Sequence, residues 1–79
     1  MFFMNVQLTI KELLMGKNWK LLEALERRHM TQGQLAGLIL MSEGWLSEVI
    51  SGKRGATSGQ KREIAKVLRV SKKKLFQED

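Results

Sequence analysis

Thr31-Gln32-Gly33-Gln34-Leu35-Ala36-Gly37-Leu38-Ile39-Leu40-Met41-Ser42-Glu43-Gly44-Trp45-Leu46-Ser47-Glu48-Val49-Ile50-Ser51 is the stretch on which the fold turns. Thr31 is a side chain suited to cap a helix start, and Leu35, Ala36 and Ile39 follow at spacings that share one helical face. Ser42 offers a second cap, followed by Leu46, Val49 and Ile50 at spacings of three and four. The reading is two short helices, Gln32 to Ile39 and Glu43 to Ser51, joined by a tight turn. Ala36 falls where the two should cross, and a small side chain there permits close approach. Leu35, Leu46 and Val49 are then expected to lock the pair onto neighbouring helices.

Working outward, Asn18 can cap a helix carrying Trp19, Leu21, Leu22 and Leu25, with Arg27, Arg28 and His29 in its last turn, where cations suit the negative end of the dipole. His29 reads as a helix-terminal residue, not a ligand. On the other side, Gly52-Lys53-Arg54-Gly55 ends the pair. Ser58 is expected to cap a fourth helix, Gly59 to Arg69, with Ile64, Ala65, Val67 and Leu68 on its face. Ser71 starts a last turn with Leu75 and Phe76. Residues 1–16 form an extension in which Thr9-Ile10-Lys11-Glu12 is a capping box ahead of Leu13, Leu14 and Met15. A short helix from Ile10 to Met15 is preferred there over a strand through Val6, Leu8 and Ile10. Residues 17–79 are the domain proper, all-α, with about five helices.

The chain has 79 residues, no cysteine, one histidine and a formal net charge of +6. Without thiols there is neither a disulfide nor a thiolate metal site, and no metal or cofactor is expected. The longest apolar run, Leu38 to Met41, is far below the roughly 20 residues of a membrane span. Met1-Phe2-Phe3-Met4 lacks the basic and apolar regions of a signal peptide, so the cytoplasm is the expected compartment. Residues 1–50 carry five basic and five acidic side chains, whereas residues 51–74 carry nine basic ones against Glu63 alone. That asymmetry suggests a polyanionic partner. Membrane-surface binding fits poorly, because the basic fourth helix has a narrow apolar face without aromatic anchors. No nucleophile, acid–base partner or phosphate loop accompanies Glu43 and Glu48, so an enzyme is not expected.

Two short helices across a tight turn match the helix-turn-helix arrangement that sets its second helix in the DNA major groove. Thr31-Gln32-Gly33-Gln34-Leu35-Ala36, Met41-Ser42, Leu46-Ser47, Val49 and Gly52-Lys53-Arg54 together resemble the lambda-repressor-like (Cro/C1, XRE) helix-turn-helix family. Ile64 to Ser71, with Leu75 and Phe76, is similar to that family's fourth and fifth helices, so the resemblance covers about residues 19–76. It implies sequence-specific binding of double-stranded DNA by a homodimer, as a Cro-like, phage or mobile-element repressor or as the antitoxin of a partner toxin. It places Glu43, Gly44, Ser47 and Glu48 on the base-reading face and Gln32, Ser42, Ser51, Lys53 and Arg54 at phosphates. Apolar side chains in Met1–Met15 or Val70–Phe76 are the expected dimer contacts. The other reading is a protein-interaction module that keeps this fold without binding DNA.

Four departures carry expectations of their own. Leu40 stands where the family usually has glycine; a left-handed leucine costs roughly 1–2 kcal/mol, so a different turn is expected. Gly33, Gly37 and Gly44 lie inside helices at about 1 kcal/mol each relative to alanine, which implies a marginal domain. Glu43 and Glu48 bring carboxylates to a polyanion, although a carboxylate can accept from cytosine N4. Trp45 is open to three readings: core anchor, phosphate donor or protein contact. Lys72-Lys73-Lys74 reads either as a solvated face or as a DNA contact.

Overall fold

The computed structural model describes residues 17–76. The expectations placed on residues 1–16, a helix from Ile10 to Met15 and an apolar dimer contact, lie outside the described residues. Within them the chain is all-α, with five helices: α1 (Trp19–Arg27), α2 (Gln32–Leu38), α3 (Glu43–Ile50), α4 (Ser58–Leu68) and α5 (Lys72–Phe76).

Each of the first three helices starts where a capping side chain predicts. Asn18 Oδ1 accepts from the Leu21 amide at 3.0 Å, and Ser42 Oγ accepts from the Trp45 amide at 3.0 Å. Thr31 builds a reciprocal box: its Oγ1 accepts from Gln34 N at 3.1 Å while Gln34 Oε1 accepts from Thr31 N at 2.8 Å. The start of α4 corrects the sequence reading. Thr57, not Ser58, is the cap, through the same box with Gln60 at 3.1 and 2.8 Å. Thr57-Ser58-Gly59-Gln60 repeats the Thr-x-x-Gln spacing of Thr31–Gln34, and that spacing uses the third residue's side chain to satisfy the cap's own amide.

The helix ends share one device. His29, Leu40 and Arg69 have φ of 52, 62 and 57°, and Gly52 has φ of 82°. After each, the next amide reaches back five residues: Met30 to Leu25 O at 2.9 Å, Met41 to Ala36 O at 2.8 Å, Lys53 to Glu48 O at 2.9 Å and Val70 to Ala65 O at 3.2 Å. These are four Schellman closures, and three of them place an apolar residue, Met30, Met41 or Val70, directly after the left-handed one. The turn between α2 and α3 is therefore not built differently to spare Leu40: the leucine adopts the left-handed conformation itself. Ile39 and Ser51, expected inside their helices, cap them instead. Arg69 likewise terminates α4 rather than belonging to it.

The core forms where these helices converge: Leu21, Leu25, Leu35, Ala36, Leu46, Ile50, Ile64, Leu68 and Leu75 are all buried, and no charged or polar residue joins them among the described residues. Ala36, on α2, is 1% exposed. Val49 is buried as well but stands outside this contiguous cluster. Leu75 is fully enclosed, and Val70 and Phe76 pack against the cluster. Of the apolar side chains of Val70–Phe76, Leu75 is thus part of the core, while Val70 and Phe76 remain partly exposed.

Candidate nucleic-acid interface

At about 100° per residue, Glu43, Gly44, Ser47, Glu48 and Ser51 share one arc of α3, opposite Leu46, Val49 and Ile50. All five are exposed or, for Ser51, half-buried. The four residues expected to face bases are thus brought onto one surface. Trp45 lies beside that arc, half-buried and packed against the core, which favours the anchor reading.

The arc is not a bare acidic face. Glu43 leans toward α2: a Cβ built on Gly33 would come within 3.3 Å of Glu43 Oε1. The missing side chain at position 33 leaves room for this carboxylate at the first turn of α2, where unpaired amides carry partial positive charge. Gln32, expected at a phosphate, is half-buried at the same helix start. Glu43 therefore stands beside the place where a phosphate oxygen is expected to sit, and it opposes an anion there.

Glu48 is paired. Arg54 Nε donates to Glu48 Oε1 at 2.7 Å, with both side chains about half exposed. The carbonyl of Glu48 also gathers the loop behind it, accepting from Ser51 Oγ at 3.2 Å and from the amides of Lys53 and Arg54 at 2.9 and 3.3 Å. Sequence reading assigned Glu48 to bases and Arg54 to phosphate without relating them. A separation of six residues across a turn is no helical neighbour spacing, so nothing in the pattern signals the contact. Of the expected phosphate-binding groups, Ser42 and Ser51 hold caps through their hydroxyl oxygens, and Lys53 projects exposed on the Gly52–Gly55 loop.

The surplus positive charge is distributed over more than this face. Lys72 Nζ donates to Ser58 Oγ at 2.9 Å, and Lys61 Nζ sits 5.3 Å from the Phe76 ring centre. Lys20, Arg27, Arg69 and Lys74 rim a groove of about 510 Å³ to which neither α2 nor α3 contributes. A second feature escaped the sequence reading. Leu38 and Leu40, 62% and 90% exposed, are the large hydrophobic side chains left in solvent among the described residues. Leu38 borders a groove of about 480 Å³ shared with His29, Met30, Gly33, Gln34 and Gly37.

Among the described residues no three His, Asp or Glu side chains gather as a metal site, and no helix is long and apolar enough to cross a membrane. Comparison with family models, curated proteins and solved structures finds no match to this chain.

Proposed function

We propose that this chain is a sequence-specific regulator of the lambda-repressor-like helix-turn-helix type, a dimeric cytoplasmic repressor that occupies double-stranded DNA. The observation that carries this reading is the α2–turn–α3 unit. Two short helices are joined through the left-handed Leu40 with Ala36 buried, and the outward arc of the second presents Glu43, Gly44, Ser47 and Glu48 near the exposed Lys53 loop. An arc free of core duties, next to a basic loop, suits a major groove flanked by phosphates. The excess of cations after Ser51 adds the sequence-independent attraction that such proteins use. A small Cro-like regulator and an antitoxin with a partner toxin both fit this chemistry.

The test is titration of fluorescent duplex pools at several salt concentrations, followed by selection of bound sequences. Saturable binding whose affinity falls with salt, together with enrichment of a palindromic motif, supports the proposal; absence of duplex binding at low salt refutes it. The second reading, a protein-interaction module, draws on exposed Leu38 and Leu40 and on Glu43 at the start of α2. It becomes the better one if duplex binding fails while Leu38→Ser and Leu40→Ser abolish self-association or partner capture.

A further inference from the structure

The Glu48–Arg54 pair carries an assignment that goes beyond the general DNA-binding proposal and rests on it. Guanidinium groups donate through Nε and through two terminal nitrogens. Here Nε is held by Glu48 Oε1 at 2.7 Å. The amide of Arg54 is tied to the same residue's carbonyl at 3.3 Å, so backbone and side chain are both anchored to the last turn of α3. What remains is the terminal fork, Nη1 and Nη2, on a half-exposed side chain at the edge of the arc. Two terminal nitrogens in one plane can meet guanine O6 and N7 together. A phosphate also accepts a guanidinium fork, so the assignment rests on the brace, which ties this guanidinium to Glu48 on the outward arc of α3.

We infer that Arg54 is a guanine-reading residue and that Glu48 is its positioning residue, turning a carboxylate on a DNA-facing helix from a repulsive group into a brace. This accounts for both residues with one contact. It also replaces two separate expectations, Arg54 on phosphate and Glu48 on cytosine.

The experiment is binding-site selection from a random duplex pool with the full chain and four variants: Arg54→Lys, Glu48→Ala, Glu48→Gln and the Glu48→Ala/Arg54→Lys double. The wild-type chain is expected to enrich a motif with guanine at one position per half-site. Arg54→Lys keeps the charge but lacks the fork, and lowers that guanine preference about tenfold or more while leaving other positions alone. Glu48→Ala lowers the same preference, and the double variant loses no more than the worse single. Glu48→Gln, whose side-chain carbonyl still accepts from Nε, retains most of it. If Arg54→Lys weakens all sequences equally, Arg54 is a phosphate contact and the inference is overturned while DNA binding stands. If Glu48→Ala shifts the motif but Arg54→Lys does not, Glu48 reads cytosine directly and the inference is again overturned. A wild-type chain that enriches no motif overturns the DNA-binding proposal itself, and the assignment falls with it.

Discussion

The side-chain amide of Asn18 donates to the carbonyl of Leu75 at 2.9 Å, joining residues 57 positions apart. The same side chain accepts from Leu21 N at 3.0 Å, and the Asn18 amide donates to Ile50 O at 2.7 Å. One residue thus caps α1 and holds it to the carboxyl ends of α3 and α5. Asn18→Asp keeps an equally good cap but places a carboxylate against the Leu75 carbonyl. It is expected to lose about 1 kcal/mol or more, and Asn18→Ala about 2 kcal/mol, through the combined loss of cap and hydrogen bond. Denaturant unfolding monitored by circular dichroism checks the order: wild type, then Asp, then Ala.

Leu40 holds a left-handed conformation with nearly all its surface in solvent, so removing its side chain costs little burial. Leu40→Gly is expected to stabilise the domain by about 0.5–1 kcal/mol, the relief of left-handed strain less the added chain entropy of glycine. The midpoint of unfolding rises with unchanged slope. A drop in the midpoint refutes the strain argument.

Gly37 and Gly44 lie in helices with nothing within 4 Å of a built Cβ, whereas at Gly33 that atom meets Glu43 Oε1 at 3.3 Å. Alanine at 37 or 44 is therefore expected to stabilise by about 1 kcal/mol each, and alanine at 33 by less. Under the DNA-binding proposal, Gly37→Ala leaves duplex affinity unchanged, while Gly44→Ala, on the outward arc, alters base preference. Thermal melts and duplex titrations of the three variants separate stability from recognition.

Thr57 caps α4 where the sequence pointed to Ser58. Thr57→Ala removes the acceptor for Gln60 N and is expected to cost about 1 kcal/mol, whereas Ser58→Ala, already inside α4, costs only a few tenths. Equal effects in an unfolding titration contradict the cap assignment.

Under the DNA-binding proposal, charge changes on this face have opposite signs. Lys53→Ala is expected to weaken binding to all duplexes and to lower the salt slope by about one unit. Glu43→Gln removes the carboxylate beside the first turn of α2 and is expected to tighten binding to all duplexes several-fold. Anisotropy titrations over a range of salt check both; a weaker Glu43→Gln complex refutes the opposition between Glu43 and phosphate.

Most of the helical organisation was legible in the sequence because it rests on local chemistry. Asn18, Thr31 and Ser42 stand one to four residues ahead of apolar residues of helical period, and a cap acts over three residues, within the reach of sequence reading. The core positions followed from the same period: Leu21, Leu25, Leu35, Leu46, Ile64 and Leu75 are all enclosed. Helix ends were less legible. Three of the four Schellman closures use His29, Leu40 and Arg69 in place of glycine, so the residue that usually marks a left-handed stop is missing. The apolar residue that follows each of them, Met30, Met41 or Val70, is the remaining local signal.

The candidate site divides along the same line. Periodicity alone determined that Glu43, Gly44, Ser47 and Glu48 share the outward arc of α3, because a helix repeats every 3.6 residues whatever surrounds it. Only tertiary structure decided what those side chains meet: Glu43 against Gly33 of the neighbouring helix, Glu48 against Arg54 beyond the turn, and Asn18 against Leu75 at the other end of the chain. These contacts depend on how the chain bends between helices and how closely helices approach. Both are set by the shared burial of many side chains at once, so no single stretch of sequence encodes them.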